Sequence, residues 1–403
     1  MRILLIHNTY QFKGGEDTVF EAEKALLLAN GNEVSTLIFD NQSINVDSAI
    51  SKLLTGLKAL YNPQSAKIIK EKINSFQPDV IHIHNFFPIA SPSIFYVAQQ
   101  MNVPVVMTLH NYRLICPSAI LYYDNEIYEK SIHKTFPIDA IMKGVYRDSI
   151  LQTATLVLMT GIHKILGTWN KKIDKYIALT HFAKAKFLDS SLNAGESQFA
   201  VKPNFTGDLG LGSDEREDCF LFIGRLTEEK GIKVLMEAAK KGDFKVKILG
   251  DGPYKEEVVA ESEKNENIVF MGFQGRETVT NELKNCKALI FPSTWYEGMP
   301  MVILEAFSVG TPVIGSRLGG AQEVIEDQYN GFHFEPGNAD DLMAKINRLN
   351  DSLETWESLS KNARTSYEEK YTPAKNYEFL SKIYEAVIKT RREKGINPAS
   401  LQV

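Results

Sequence analysis

The sequence predicts an α/β protein of two domains, each built around a parallel β-sheet. Three observations carry this. The chain has 403 residues, long for one domain and suited to two. Short apolar runs alternate with helical patterns twice over, from residue 2 to 203 and again from 219, the rhythm of parallel strands joined by crossover helices. Between these halves, residues 204–218 (NFTGDLGLGSDERED) are rich in Gly, Asp and Ser with little periodicity, and read as a linker.

Composition is that of an ordinary globular protein, 44% apolar and 24% charged. A net charge of −5 argues against a general nucleic-acid binder. Cys116, Cys219 and Cys286 are odd in number and widely spaced, without zinc or redox spacing, and read as buried thiols in a reducing cytosol. Residues 1–7 are too short an apolar run for a signal peptide. No apolar run reaches the roughly 18 residues of a membrane span.

In the first half, residues 2–8 form a strand, followed by a loop holding Gly14-Gly15 and a helix over 17–29. Strand, glycine loop, helix is how such folds bring backbone N–H groups to a phosphate, although a Gly-Gly pair alone also fits an ordinary tight turn. A strand over 33–39 and a helical stretch over 48–76, broken near Asn62-Pro63, come next. Strands over 79–84 (DVIHIH) and 103–109 end at His84-Asn85 and His110-Asn111, and strand C-termini are where open α/β sheets hold ligands. Residues 130–175 carry eight Lys or Arg against three Asp, five positive charges in excess. Within them, 150–169 (ILQTATLVLMTGIHKILGTW) is apolar but punctuated by polar residues. It is too polar to span a bilayer and suits a helix at a membrane interface, where anionic lipid would attract the flanking lysines; a solvated helix with a core-facing stripe is the other reading. A strand over 175–180, a helix over 182–188 and a strand over 200–203 close this half.

The second half repeats the pattern. A strand over 219–223 runs into Gly224-Arg225 and on through Lys230-Gly231 to a helix over 232–240. Two cations on such a loop can clamp a diphosphate, Arg as a fork and Lys as a point charge. Strands over 244–249, 268–271 and 288–291 alternate with helices over 254–264 and 276–285. The stretch 291–320, FPSTWYEGMPMVILEAFSVGTPVIGSRLGG, is the densest in signals. Pro300 suits a first helical turn, a helix covers 301–309, Gly310 suits its C-terminal cap, and 312–316 is a strand. Glu297 precedes this helix and Glu305 lies inside it, within MVILEAFSV, an awkward place for an unpaired charge. Eight residues of helix rise roughly 12 Å, which puts the two acids at two ends of an elongated ligand. The N–H groups of Gly298, Met299 and Met301 would favour an anion. A nucleotide sugar fits this description. A strand over 331–334, a helix over 339–349 and a helical tail over 372–392 complete the chain.

The segment EGMPMVILEA resembles the E-x7-E segment of retaining glycosyltransferase family 4, and TLHNYRLICP resembles a segment of the same family. The resemblance implies the GT-B architecture: two Rossmann-like domains, the active site in the cleft between them, and a C-terminal helix crossing back onto the first. It implies an acceptor-binding domain over 1–203, a linker over 204–218, a nucleotide-sugar-binding domain over 219–371, and a crossover helix and tail over 372–403. By the same resemblance Gly14 and Gly15 approach the donor diphosphate, Arg225 and Lys230 bind it, and Glu305 holds the ribose hydroxyls. Glu297 contacts the donor sugar, the N–H groups of Gly298, Met299 and Met301, with Pro300 among them as part of the donor-binding segment, touch sugar and phosphate, and His110 touches the sugar near the acceptor. Glu297, His110, Arg225 and Lys230 are the catalytic candidates. Retention of configuration and independence from metal and cofactor are implied. A saccharide or lipid-linked saccharide acceptor and a cytoplasmic location, peripheral on the membrane, fit the resemblance. His181, after Thr180, departs from the acidic residue expected there.

Other classes fit less well. A glycosidase needs two carboxylates straddling one bond. Gly250-Asp251-Gly252 lacks the third glycine of a dinucleotide fingerprint, and no Walker A loop is present. A catalytically silent nucleotide-sugar-binding subunit is the alternative from another class.

Overall fold

The computed structural model describes residues 1–9, 14–40, 56–213 and 215–396. The expected loop residues 10–13, the start of the helical stretch over 48–55, and the tail 397–403 lie outside the described residues. The chain divides into two compact units.

The first unit comprises Met1–Tyr123, Tyr128–Lys202 and the chain from Tyr377 on. Its sheet strands are β1 (Arg2–Thr9), β2 (Glu33–Asp40), β3 (Val80–Ile83), β4 (Val105–Leu109), β7 (Lys175–Ala178) and β8 (Phe199–Val201); between β4 and β7 come the two-residue strands β5 (Tyr122–Tyr123) and β6 (Glu126–Ile127). The sheet order is β2-β1-β3-β4-β7-β8, and every pair is parallel. β4 starts later than the sequence suggested because Pro104 has no N–H to give a ladder; its carbonyl accepts from Ile81 instead. A helix over Ser93–Gln100, not anticipated, links β3 to β4. The last helix, Pro373–Ile396, brings Leu380, Tyr384 and Val387 into a core with Ile3, Leu5, Phe20, Val80, Val106 and Ile177.

The second unit comprises Asp124–Ile127 and Pro203–Asn376. Its strands are β9 (Phe220–Ile223), β10 (Val246–Leu249), β11 (Ile268–Gly272), β12 (Ala288–Phe291), β13 (Val313–Ser316) and β14 (Gly331–Phe334), in the order β11-β10-β9-β12-β13-β14 and again all parallel. Their near-continuous apolar runs suit strands covered on both faces.

Residues 204–218, expected as a linker, cluster with the second unit at their described positions. The Arg216 guanidinium donates to the carbonyls of Leu283, Lys284 and Val309 and to Thr311 Oγ1. Asp208 takes both terminal nitrogens of Arg364 at 2.8 Å, and Thr206 accepts from the Tyr367 hydroxyl at 3.2 Å. A Gly-rich segment with one fork-shaped cation is held by carbonyls that its own composition does not reveal.

The stretch from Glu297 to Glu305 also differs from expectation. Helix begins only at Met301, with Pro300 extended as its N-cap (ψ 121°). Four helical steps from Met301 to Glu305 rise about 6 Å; the remaining separation is loop, so the 12 Å helical spacing does not hold.

Candidate active site

In each sheet the order reverses at one place, and ligands of open α/β sheets bind beyond the strand C-termini there. In the second unit the reversal falls between β9 and β12. β9 leads into Gly224-Arg225 and a short helical turn Glu228–Lys230, and β12 leads into 292–300. The two loops are laced together: Glu229 O accepts from Thr294 N at 2.9 Å and from Ser293 Oγ at 3.1 Å. Gly231 has φ 73°, and a Cβ there would lie 1.8 Å from Pro292 O. Only glycine permits this approach.

This contact sets Lys230 against Glu297. Glu297 Oε1 receives Lys230 Nζ at 2.5 Å and Trp295 Nε1 at 2.7 Å, and the single Ser293 hydroxyl proton is shared between it and Glu229 O, each 3.1 Å away. The ammonium also lies 5.3 Å from the centroid of the Trp295 ring. The Glu297 side chain is 10% exposed, so the pair is shielded and stronger than a surface pair would be. Gly319 and Gly320 back the loop: a Cβ on Gly320 would meet Gly298 O at 2.3 Å, and Gly320 N donates to Glu297 O at 3.1 Å. Arg225 is different. It is largely exposed and paired with Glu229 at 3.2 Å.

The helix Met301–Ser308 has no side-chain cap at its start. Met299 is buried, with its Sδ accepting from Asn204 N at 3.0 Å. Glu305 is partly buried, and burial pushes its carboxyl up, against a smaller opposing pull from Arg276. Its main-chain carbonyl accepts from Ser308 Oγ at 2.8 Å, but among the described residues its carboxylate oxygens have no hydrogen-bond or ion-pair partner. A shielded acceptor without a protein partner is suited to hydroxyl groups of a ligand.

In the first unit the reversal falls between β1 and β3. The Gly14 N–H does not face outward to an anion: it donates to Asp17 Oδ2 at 2.8 Å, and the other Asp17 oxygen meets His7 Nε2 at 2.8 Å. His84 and His110, at the ends of β3 and β4, stack and join His84 Nδ1 to His110 Nε2 at 3.0 Å. Both line one pocket with Asn85, Asn111 and Arg113. Behind them is a cluster that sequence reasoning missed. Glu23 is fully buried and paired with buried Lys202 at 3.1 Å; its other oxygen lies 3.3 Å from His82 Nδ1 and 3.8 Å from His84 Nε2. One ring donates and the other accepts in the His84–His110 bond, whereas His84 Nε2 and the Glu23 Oε1 it faces are buried without a hydrogen-bond partner among the described residues. Burial lowers the pKa of His82 and His84 well below the ordinary range and takes His110 down to about 3. All three rings are therefore neutral at pH 7.

Glu23, His82 and His84 bring ligand atoms close enough for a metal ion. The donor set does not suit one: Lys202 already neutralises Glu23, and both His82 nitrogens are engaged, with Tyr384 OH at 2.7 Å and Thr108 Oγ1 at 2.8 Å.

The structure thus brings Lys230 and Glu297 together, links the Arg225 loop to them through Glu229, and leaves Glu305 apart on its helix. Comparisons with known proteins bear on the fold and the family. Among solved structures, HepE of Anabaena in complex with UDP resembles the chain with a TM-score of 0.69 at 15% identity, covering 96% of this chain and 100% of that one; the same protein has been seen with UDP-glucose. The fold is GT-B, two Rossmann-like domains with parallel six-stranded sheets. Residues 210–366 match the family model of glycosyl transferases group 1. An uncharacterized glycosyltransferase of Methanocaldococcus jannaschii is 27% identical over 336 residues, 83% of this chain and 82% of its own length. The sulfoquinovosyl transferase of Arabidopsis thaliana is 28% identical over 356 residues, 83% of this chain and 61% of that protein. Together these findings support a glycosyltransferase with the GT-B fold.

Proposed function

We infer that the protein is a retaining, metal-independent glycosyltransferase of the family 4 type. It moves a sugar from a nucleoside-diphosphate sugar to a saccharide or lipid-linked saccharide acceptor. The observation that carries this reading is the shielded Lys230–Glu297–Trp295 constellation at the sheet reversal, with the partnerless Glu305 on the helix that follows. Arg225 and Lys230 take the diphosphate and stabilise its charge as it leaves. Glu305 takes the ribose hydroxyls, Glu297 positions the sugar, and His110 and Gly15 keep the roles the resemblance assigns, whereas the Gly14 N–H is taken by Asp17. In a front-face displacement the bond from the anomeric carbon to phosphate oxygen breaks, the bond to the acceptor oxygen forms on the same face, and the acceptor proton passes to the departing phosphate. A donor of the UDP class is favoured, since the structurally similar Anabaena protein was seen with UDP and UDP-glucose.

The test is a panel of UDP-, GDP- and ADP-linked sugars, read for released nucleoside diphosphate with and without membrane extract as acceptor. Release from one donor, lost in Arg225→Ala and Glu297→Ala, is expected. Thermal stabilisation by a nucleotide without turnover under any condition would instead identify a silent binding subunit.

A further inference from the structure

Trp295 touches both members of the Lys230–Glu297 pair. Its Nε1–H donates to Glu297 Oε1 at 2.7 Å, and its ring centroid lies 5.3 Å from Lys230 Nζ, within the range of a cation–π contact. The backbone sets these contacts up. Trp295 O accepts from Glu297 N at 3.0 Å, a three-residue turn that brings the indole beside the carboxylate two positions on. The turn is held from behind: Gly320 N donates to Glu297 O at 3.1 Å, and a Cβ on Gly319 would lie 2.9 Å from Tyr296 Cα.

The groups that reach Glu297 all meet one oxygen, Oε1, and Oε2 has no hydrogen-bond or ion-pair partner among the described residues. The three are not equal. The Ser293 proton has two acceptors, Glu297 Oε1 and Glu229 O. The Lys230 ammonium rotates on a flexible stem, and in the reaction inferred above it serves the diphosphate. The indole has a single N–H on a rigid ring, and Glu297 Oε1 is its recorded acceptor. A carboxyl group turns about its last bond in a broad, two-fold profile and would otherwise present either oxygen. The indole removes that freedom, and keeps doing so when the ammonium turns to phosphate. We propose that Trp295 is a positioning residue for glycosyl transfer, its N–H anchoring Glu297 Oε1 so that Oε2 is the oxygen offered to a hydroxyl of the donor sugar, an assignment that rests on the transferase reading.

Indole N–H resonances of the full chain, labelled with heavy nitrogen, test the anchor without turnover. Trp169 donates to Thr160 O and Trp356 to Lys287 O, both neutral carbonyls. The Trp295 resonance, identified by its loss in Trp295→Phe, is expected downfield of those two because its acceptor is charged. It should move upfield in Glu297→Gln while the others stay, and should hold its place when the sugar donor selected from the UDP-, GDP- and ADP-linked panel binds. Kinetics test the role. Trp295→Phe keeps a ring against Lys230 and loses the N–H, so kcat is expected to fall about tenfold, with nucleoside-diphosphate affinity within about twofold and melting temperature unchanged. A purely structural role would instead lower melting and nucleotide affinity together. A resonance indifferent to Glu297→Gln, one displaced to the position of the other two by the bound sugar donor, or an unchanged kcat in Trp295→Phe would each overturn the proposal. The two readings fail separately. An unmoved resonance in an active enzyme removes only the anchor, whereas a shifted resonance in a protein that turns over no donor in the panel removes the transferase reading and, with it, the role in transfer.

Discussion

Two glutamates eight positions apart behave oppositely. Glu297 has two N–H donors on one oxygen and a share of the Ser293 proton, whereas Glu305 has its carboxyl raised by burial. Glu297→Gln keeps an acceptor for Ser293 and Trp295 but removes the charge facing Lys230. Donor turnover is expected to fall about 100-fold, with melting shifted by only about 1 kcal/mol; parallel rate and melting measurements check this. A raised carboxyl pKa means the ionised form is disfavoured in the fold, so its stability contribution is lost as pH rises past the ordinary carboxylate range. Glu305→Gln should therefore raise the melting temperature while weakening nucleoside-diphosphate binding about tenfold. Titration calorimetry finding undiminished affinity would remove Glu305 from the ribose. The identity of both acids was legible in EGMPMVILEA. The contact of Glu297 with Lys230 was not, because it spans 67 positions and is set by the adjacency of β9 and β12. Glu23 gave no signal at all, since its partner Lys202 is 179 positions away and both look like ordinary surface charges in sequence. Glu23→Gln removes the carboxylate that faces the buried Lys202 ammonium and should cost about 3–5 kcal/mol, with Glu23→Gln/Lys202→Met recovering part of it in thermal melts.

Elements rather than residues set the loop geometry. Gly231 ends a helical turn in the left-handed region and passes under Pro292. Gly231→Ala meets both the strained φ and the carbonyl, and is expected to cost at least about 1–3 kcal/mol and to move Lys230 off Glu297. A turnover loss larger than that of a distant variant with the same melting temperature would separate the two effects. The strands were readable because parallel, doubly covered strands are continuous apolar runs. The helix Ser93–Gln100 was not, because SIFYVAQQ is too short for its period to stand out. The same limit shortened the helix after Pro300: a proline that suits a first turn also serves as an extended N-cap.

At the scale of the molecule, acid acts unequally on the two units. His7, His82, His84 and His110 all have pKa values lowered from 6.5, chiefly by burial. Above that value folded and unfolded chains are alike; as pH falls below it, the unfolded chain takes up protons that the folded unit refuses. Stability then drops by up to about 1.4 kcal/mol per pH unit for each histidine. In the second unit the Arg364 hydrogen bonds hold Asp208 down at about 2, a contribution that persists until pH falls below the ordinary carboxylate value. His163 in the first unit and His333 in the second are lowered by burial too; with five such histidines against one, calorimetry from pH 7.5 to about 5 should show the first unit losing melting temperature faster than the second.

The first unit is closed by the far end of the chain: Tyr384 hydrogen-bonds His82, 302 positions earlier, and Leu380 and Val387 fill the core begun by Ile3 and Leu5. On the ribosome, then, order of synthesis and order of completion are reversed. Residues 203–376 are all available while the sheet made first still lacks its final helix. A chain released early, after residue 376, would carry a finished second unit and a first unit with an open apolar face, a natural substrate for chaperones and proteases.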